Sequence, residues 1–397
     1  MQLMRYGAVA KTLTQGMTAV LCALTLAIVL PAGLRAQALI PPPPDVQASG
    51  YLLIDAHTNH VIAAHNIDEP LPPASLTKIM TSYLAARELA AGRISHDDEV
   101  RISVAAWRTP GSRMFIQEGT TVRFEDLLRG MIIQSGNDAS VAIAEHIAGS
   151  EDAFANMMNQ QAQQLGMTDT FYLNSTGLPA EGHVTTPRDL AKVARALITE
   201  FPDHYAMYSE RSFTYNDIQQ PNRNRLLWRD RSVDGMKTGH TTEAGYCLVA
   251  SAERDGMRLV SIVMGTSSDE ARMRESNKLL SYGFRYYETR RLYGAGERLR
   301  VSDVWRGQAG EVGLGLAEAA YITIPRGHYG DLEAEIEQQR VLRAPIDEGE
   351  QLGMLRVKLG DDLVYEAPLV ALEPVTEAGF FKRLWHSVVL FFRELFR

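Results

Sequence analysis

Pro72-Pro73-Ala74-Ser75-Leu76-Thr77-Lys78-Ile79-Met80 is the stretch from which the rest of the chain becomes readable. From 74 to 91, just after the two prolines, apolar residues recur at helical spacing until Gly92 stops them. Ser75 and Lys78 stand three positions apart on that expected helix, so hydroxyl and amine share a face. An unassisted serine hydroxyl is a poor nucleophile and needs a base. A lysine amine serves only when neutral, which requires burial or a nearby cation. A serine on the first turn also feels the positive end of the helix dipole. Taken alone, the pair reads as a capping serine followed by a solvated lysine.

Two more short motifs follow in order. Ser135-Gly136-Asn137 lies between two helical patterns, and Lys237-Thr238-Gly239 opens a β-rich run. Ser135 offers a hydroxyl relay, and Asn137 an amide able to grip a peptide group. Lys237 is a candidate for the cation that lowers Lys78. With Thr238 it could also meet a substrate carboxylate, and Gly239 would let a substrate backbone approach closely. Each motif alone is an ordinary turn. All three together, each in a fitting context, leave chance at roughly a few per cent.

Around these motifs the chain alternates strands and helices. Residues 50–55 and 61–64 flank Ala56-His57-Thr58-Asn59-His60 as strand, turn, strand. Helical patterns cover 124–133, 139–148, 151–165 and 187–200. Residues 245–252 and 257–265 read as a hairpin closed by Glu253-Arg254-Asp255-Gly256, and 271–288 as a further helix. Beyond Gly294-Ala295-Gly296, short strands at 311–314, 320–325, 355–358 and 363–365 predict a small all-β domain. His57 and His60 beside Asp55 read as a solvated turn, so no metal site is expected.

The two ends differ from the middle. Arg5 and Lys11, the apolar run 17–30, Pro31 and Ala36-Gln37-Ala38 make residues 1–38 an export signal with a cleavage site. Its removal also takes Cys22, leaving Cys247 alone in what reads as a strand interior, so no intrachain disulfide is expected. In 376–397, Phe380, Phe381, Leu384, Trp385, Val388, Phe391, Phe392 and Leu395 recur at helical spacing among Lys382, Arg383, His386, Arg393 and Arg397. Such a basic aromatic helix lies flat on an anionic membrane surface rather than spanning it. The 397 residues are 45% hydrophobic and 22% charged, which excludes a largely disordered or polytopic membrane chain. A net charge of −8 argues against nucleic acid as a partner.

At these residues the sequence resembles the serine D-Ala-D-Ala carboxypeptidases, the low-molecular-mass penicillin-binding proteins. The likeness extends to Gly235-Met236-Lys237-Thr238-Gly239-His240-Thr241, Leu279-Leu280-Ser281-Tyr282-Gly283-Phe284 and Ala344-Pro345-Ile346. It implies an α/β fold of the penicillin-binding and serine β-lactamase type, with an antiparallel sheet flanked by helices. The implied catalytic domain covers 39–293, followed by an all-β domain over 297–374 and the surface helix over 376–397. The implied reaction removes the terminal D-alanine from peptidoglycan stem peptides through an acyl-enzyme on Ser75. β-Lactam antibiotics would be covalent inhibitors, no cofactor is needed, and the location is periplasmic, on the outer face of the cytoplasmic membrane. By the same resemblance Lys78 takes the proton, Ser135 relays one to the leaving group, and Asn137 binds substrate. Lys237 holds the local field, Thr238 contacts the terminal carboxylate, and the N–H groups of Ser75 and His240 form the oxyanion hole. A fork for the carboxylate falls to Arg272, with Arg274 as the alternative. The stretch from Asn174 to Thr186 resembles the loop that closes one side of the pocket. It contains Glu181 but no Glu-x-x-Leu-Asn pattern, which speaks against efficient β-lactam hydrolysis. An endopeptidase, a β-lactamase and a non-catalytic β-lactam sensor are the competing readings.

Overall fold

The computed structural model describes residues 40–395, so the export-signal reading of 1–38 and Cys22 lies outside them. Five strands form one antiparallel sheet: β1 (Gly50–Asp55), β2 (Val61–His65), β3 (Val233–Thr241), β4 (Gly245–Arg254) and β5 (Met257–Thr266). Their spatial order is β2-β1-β5-β4-β3, which leaves β3 on an edge. Helices α1 (Lys78–Ala90), α2 (Phe124–Ile133), α3 (Asn137–Ala148), α4 (Glu151–Gln164) and α5 (Pro187–Glu200) share one core with one face of the sheet. Leu52, Ile54, Val260 and Ile262 point into that core. Their neighbours Leu53 and Leu259 point the other way, against Gly283 of α6 (Asp269–Tyr286). Alternate residues of a strand face opposite sides, so a sheet covered on both faces needs near-continuous apolar strands.

α1 runs through the middle of the helical layer. Ile79, Met80, Leu84 and Ala85 are wholly buried, and Thr81 is buried with its hydroxyl donated to Ser175 O at 2.8 Å. A helix buried nearly all round fixes whatever side chains its first turn carries. Local signals set the helix ends. Thr186 caps α5 by accepting from Asp189 N, with Pro187 at the first position, and Ser150 caps α4 from Ala153 N.

Two departures from the sequence reading have local causes. The helix expected over 271–288 starts earlier because Ser268 caps it and Asp269 and Glu270 occupy the first turn. It stops at Tyr286 because β6 (Tyr287–Tyr293) pairs with a later strand. The run expected to open at Lys237 is instead a nine-residue strand, with Lys237-Thr238-Gly239 inside β3.

Past β6 come β7 (Arg298–Trp305), β8 (Glu311–Gly315), β9 (Ala320–Pro325), β10 (Leu332–Gln338), β11 (Leu342–Arg343), β12 (Gln351–Leu359) and β13 (Asp362–Ala371). Six of them form a sheet in the order β10-β12-β13-β8-β7-β11 around Val312, Leu314, Leu355, Val357 and Leu369. β6 pairs separately with β9, so the all-β region takes its first strand ahead of the Gly294–Gly296 turn. α7 (Phe380–Leu395) follows. It docks through buried Leu390 and through His386, whose Nδ1 accepts the Arg306 N–H at 2.8 Å.

Asp55, at the end of β1, joins the two parts. Its Oδ1 accepts the N–H groups of His57 and Thr58, and its Oδ2 accepts the Thr289 hydroxyl of β6 at 2.7 Å. Asp55 is fully buried. Asp55→Ala strips these donors of their acceptor, and urea unfolding should show a loss of about 3 kcal/mol.

Candidate active site

The 3-10 turn Ala74–Thr77 precedes α1, so Ser75 sits just outside the α-helix and Lys78 is its first residue. Ser75 makes no side-chain capping bond; the capping reading of this serine does not hold. Ala74 has φ +47°, a left-handed conformation that a residue with a Cβ seldom adopts. Neighbouring glycines make room for the turn. A Cβ on Gly177 would lie 1.8 Å from Ala74 O, and one on Gly239 would lie 3.2 Å from Pro73 O.

Lys78 is 1% exposed, and its amine has three neighbours. Nζ lies 2.7 Å from Asn137 Oδ1, 2.6 Å from Thr176 O and 3.2 Å from Ser75 Oγ. The first two can only accept, so they take two N–H bonds. Asn137 cannot turn its amide over, because Nδ2 donates to Pro110 O at 2.6 Å. A neutral amine then has one lone pair left, directed at the serine hydroxyl. Burial is the largest influence on Lys78 and pushes it down from 10.5 to about 7. Asp138 and Glu151 oppose that shift, and Arg223 assists it.

Lys237, the cation expected beside Lys78, repels it across the same pocket, and Arg223 adds to the lowering of Lys78. Lys237 is itself pushed well down, first by burial and then by Lys78, Arg223 and Arg272. Two ammonium groups in one dry pocket repel each other. Lys237 Nζ donates to Ser135 Oγ at 2.8 Å and to Thr238 O at 3.1 Å. Ser135 also has a left-handed backbone, φ +66°. The next residue but one, Asn137, opens α3, and its N–H donates to Ser112 O. The three motifs therefore meet through direct side-chain contacts.

Arg272 reaches the same strand from α6. Its Nη1 donates to Gly239 O at 2.9 Å, its Nη2 pairs with Asp269, and its Nε is buried with no partner among the described residues. Arg274 points elsewhere, half-exposed and paired with Glu275 at 2.9 Å. Thr238 is 5% exposed. The His240 ring is exposed and lies on Tyr246, with centroids 4.0 Å apart, and Arg272 lies over the same tyrosine.

Several supporting groups carry no sequence motif. Buried Asp138 accepts the N–H groups of Met114 and Phe115 at 3.0 and 2.9 Å and so holds the loop whose Pro110 O fixes Asn137. Glu151 accepts both N–H and O–H of Ser175, which steadies the adjoining Thr176 carbonyl. His183 places Nε2 3.0 Å from Thr77 Oγ1, and burial pushes its imidazole down to about 4, so it is neutral. Gly177 was the readable hint, since a glycine in a polar loop marks a close approach. No group of three His, Cys, Asp or Glu able to hold a metal occurs among the described residues. The Asp55 carboxylate, in the same turn as His57 and His60, accepts hydrogen bonds from the His57 N–H and the Thr289 hydroxyl.

A buried amine facing a half-buried serine, with a second lysine and an arginine beside it, is the arrangement of a serine acyl-transfer hydrolase. Comparisons with known proteins narrow the class. The D-alanyl-D-alanine carboxypeptidase family of S11 peptidases matches residues 37–268, and the C-terminal domain of penicillin-binding protein 5 matches 287–377. The chain is 44% identical over 361 residues to the D-alanyl-D-alanine carboxypeptidase DacC of Escherichia coli, covering 89% of this chain and 90% of that one. It is 39% identical to DacA of the same organism, covering 96% of each. The crystal structure of penicillin-binding protein 5 from Haemophilus influenzae superimposes with a TM-score of 0.82 at 40% identity, covering 85% of this chain and all of that one. The chain belongs to the D-alanyl-D-alanine carboxypeptidase family and is a serine peptidase.

The lowered amine has a kinetic consequence. Only neutral Lys78 can take the serine proton, so the rate of acylation by benzylpenicillin should fall about tenfold per pH unit below pH ~7. It should level off above that value. Stopped-flow acylation between pH 5 and 9 checks this, and a plateau reached only near pH 10 would mean an ordinary solvated lysine.

Proposed function

We propose that the chain removes the terminal D-alanine from peptidoglycan pentapeptide stems by acylating Ser75, and that β-lactams acylate the same oxygen. The observation that carries this is the 3.2 Å contact between Ser75 Oγ and an amine whose other two N–H bonds are already used. Lys78 takes the Ser75 proton as Oγ bonds to the carbonyl carbon of the penultimate D-alanine. The N–H groups of Ser75 and His240 receive the charge that develops on the carbonyl oxygen. As the C–N bond breaks, the proton taken up by Lys78 is returned to the departing amine by way of the Ser135 hydroxyl, which Lys237 holds, so Lys78 is neutral again. Asn137 orients the peptide, and Thr238 with Arg272 receives the free carboxylate through charge-assisted hydrogen bonds. Gly239 keeps the strand open to the substrate backbone. Water then cleaves the ester, with Lys78 again as base. Ser75→Ala should abolish both D-alanine release and the penicilloyl mass increment in intact-protein mass spectrometry. A surviving increment would move the nucleophile elsewhere.

We also infer that the enzyme works in the periplasm, exported by residues 1–38 and resting on the outer face of the cytoplasmic membrane through 376–397. In support, Phe380, Phe381, Leu384, Trp385, Val388, Phe391 and Phe392 are exposed along α7 and fall within one arc of it. Fully burying such side chains is worth ~1.5–3 kcal/mol each. Lys382 and Arg393 border that arc and suit anionic headgroups. No helix among the described residues is long and apolar enough to cross a membrane. Deleting 376–397 should release active enzyme into the soluble fraction of lysed cells. Recovery of the truncated protein with the membrane pellet would refute the surface-helix reading.

A further inference from the structure

The tripeptide Asn222-Arg223-Asn224 lies between the second and third motifs in the chain and bonds to the segments that carry both. Asn224 Nδ2 donates to Gly235 O at 2.9 Å, on β3 just ahead of Lys237. Arg223 donates twice into the turn before Ser135, from its N–H to Ile133 O at 3.2 Å and from Nε to Gln134 O at 2.8 Å. We propose that Arg223 is a positioning residue for the proton relay: by holding the peptide group that enters Ser135, it keeps the Ser135 hydroxyl where the departing amine needs it. This rests on the carboxypeptidase reading and adds to it the group that aims the relay.

Gln134 O and Ser135 N belong to one rigid peptide plane, and the φ of Ser135 sets how Cβ is carried relative to that plane. That φ is +66°, a region that a residue with a side chain seldom adopts. Once released, the plane would turn toward the ordinary negative range and swing the hydroxyl off Lys237 Nζ, now 2.8 Å away. The exit side of Ser135 is already fixed, because Gly136 N donates to Gly130 O at 3.0 Å and Asn137 N to Ser112 O at 2.7 Å. Arg223 supplies the hold on the entry side. The two carbonyls it takes lie at the end of α2, where helix carbonyls lack intrahelical donors and a cation is favoured.

The segment itself is anchored by its two asparagines, both buried. Asn222 Nδ2 donates to Glu210 O at 2.9 Å, and Asn222 Oδ1 accepts the Asn224 N–H at 2.9 Å. Arg223 between them is exposed, and among the described residues its side chain makes one hydrogen bond, the one to Gln134 O. The backbone bond to Ile133 O survives any change of side chain. A substitution at Arg223 therefore removes the hold on the entering peptide and leaves the segment in place. The Arg223 charge also bears on Lys78 and Lys237, so bond and charge have to be separated.

A glutamine carries its amide nitrogen as far from Cα as an arginine carries Nε. Arg223→Gln therefore keeps a donor toward Gln134 O and drops the charge, whereas Arg223→Met drops both at similar length. Each variant is assayed at about pH 8.5, above the value of about 7 to which Lys78 is lowered. The substrates are a stem peptide ending in D-Ala-D-Ala and its ester analogue ending in D-Ala-D-lactate. An amine departs only with a proton, and an alkoxide leaves with far less help. Arg223→Met should lower kcat/KM for the amide about ten- to hundredfold and for the ester by no more than about threefold, and Arg223→Gln should recover most of the amide loss. The ratio between the two substrates is independent of how much of a variant is folded. Equal losses on amide and ester, or no loss on either, overturn the positioning role. So does an Arg223→Gln enzyme as impaired as Arg223→Met, which would assign the effect to charge. Failure of the wild-type enzyme to release D-alanine would instead overturn the carboxypeptidase reading on which the inference stands.

Discussion

The rest of the structure is arranged around one lysine amine that is kept out of water. Burying an ammonium without a counter-ion is costly enough that the group loses its proton instead. Moving Lys78 from 10.5 to about 7 corresponds to roughly 5 kcal/mol against the charged form. The fold must sustain that bias although Asp138 and Glu151 both favour the cation. It does so by enclosure. α1 is buried along its length, Thr176 O covers the amine from the loop side, and Asn137 covers it from the start of α3. Both acids are themselves engaged, Asp138 by backbone N–H groups and Glu151 by Ser175, so neither forms an ion pair with Lys78. Were either to do so, the amine would regain its proton and the serine would lose its base.

The second lysine makes the arrangement asymmetric. Lys237 approaches Ser135 rather than Ser75, and a positive Lys78 depresses it further. When Lys78 takes the serine proton, the new charge appears in a pocket that already contains Arg223 and Arg272. That charge is tolerable only while an anion is near, and the developing oxyanion and the substrate carboxylate supply it.

Much of the architecture was legible because it is local. Helices 124–133 and 187–200 have amphipathic stripes, and Thr186-Pro187 is a cap followed by a first-position proline. β3 was hard to read because function has replaced its strand-like residues. Gly235 is required where a Cβ would fall 2.3 Å from the Tyr205 hydroxyl, Gly239 lies against Pro73 O, and Lys237 and Thr238 serve the pocket. The end of α6 was missed because pairing of Tyr287 opposite Pro325 is a long-range event that overrides local helical preference. Within the site, the motif residues were readable as side chains. The Thr176 carbonyl was not, since every residue has one. Arg223 and Asp138 act across the fold from positions with no motif of their own. The choice between Arg272 and Arg274 depends on helix phase, because two residues on a helix turn ~200°.

Part of the backbone strain lies at or next to the site. Ala74, Ser135 and Phe115 all have positive φ, at 47°, 66° and 71°, although none is glycine. Such conformations cost on the order of 1–3 kcal/mol each and persist only where the surroundings over-determine them. Here the surroundings do. Gly177 closes on the Ala74 carbonyl, Lys237 holds the Ser135 hydroxyl, and Asp138 clamps the Phe115 N–H. Each clamp comes from a different segment of the chain. The strained residues therefore cannot relax one at a time without breaking a tertiary contact. A nucleophile, its base and its relay are thus placed before substrate arrives, and little reorganisation remains to be done during the reaction.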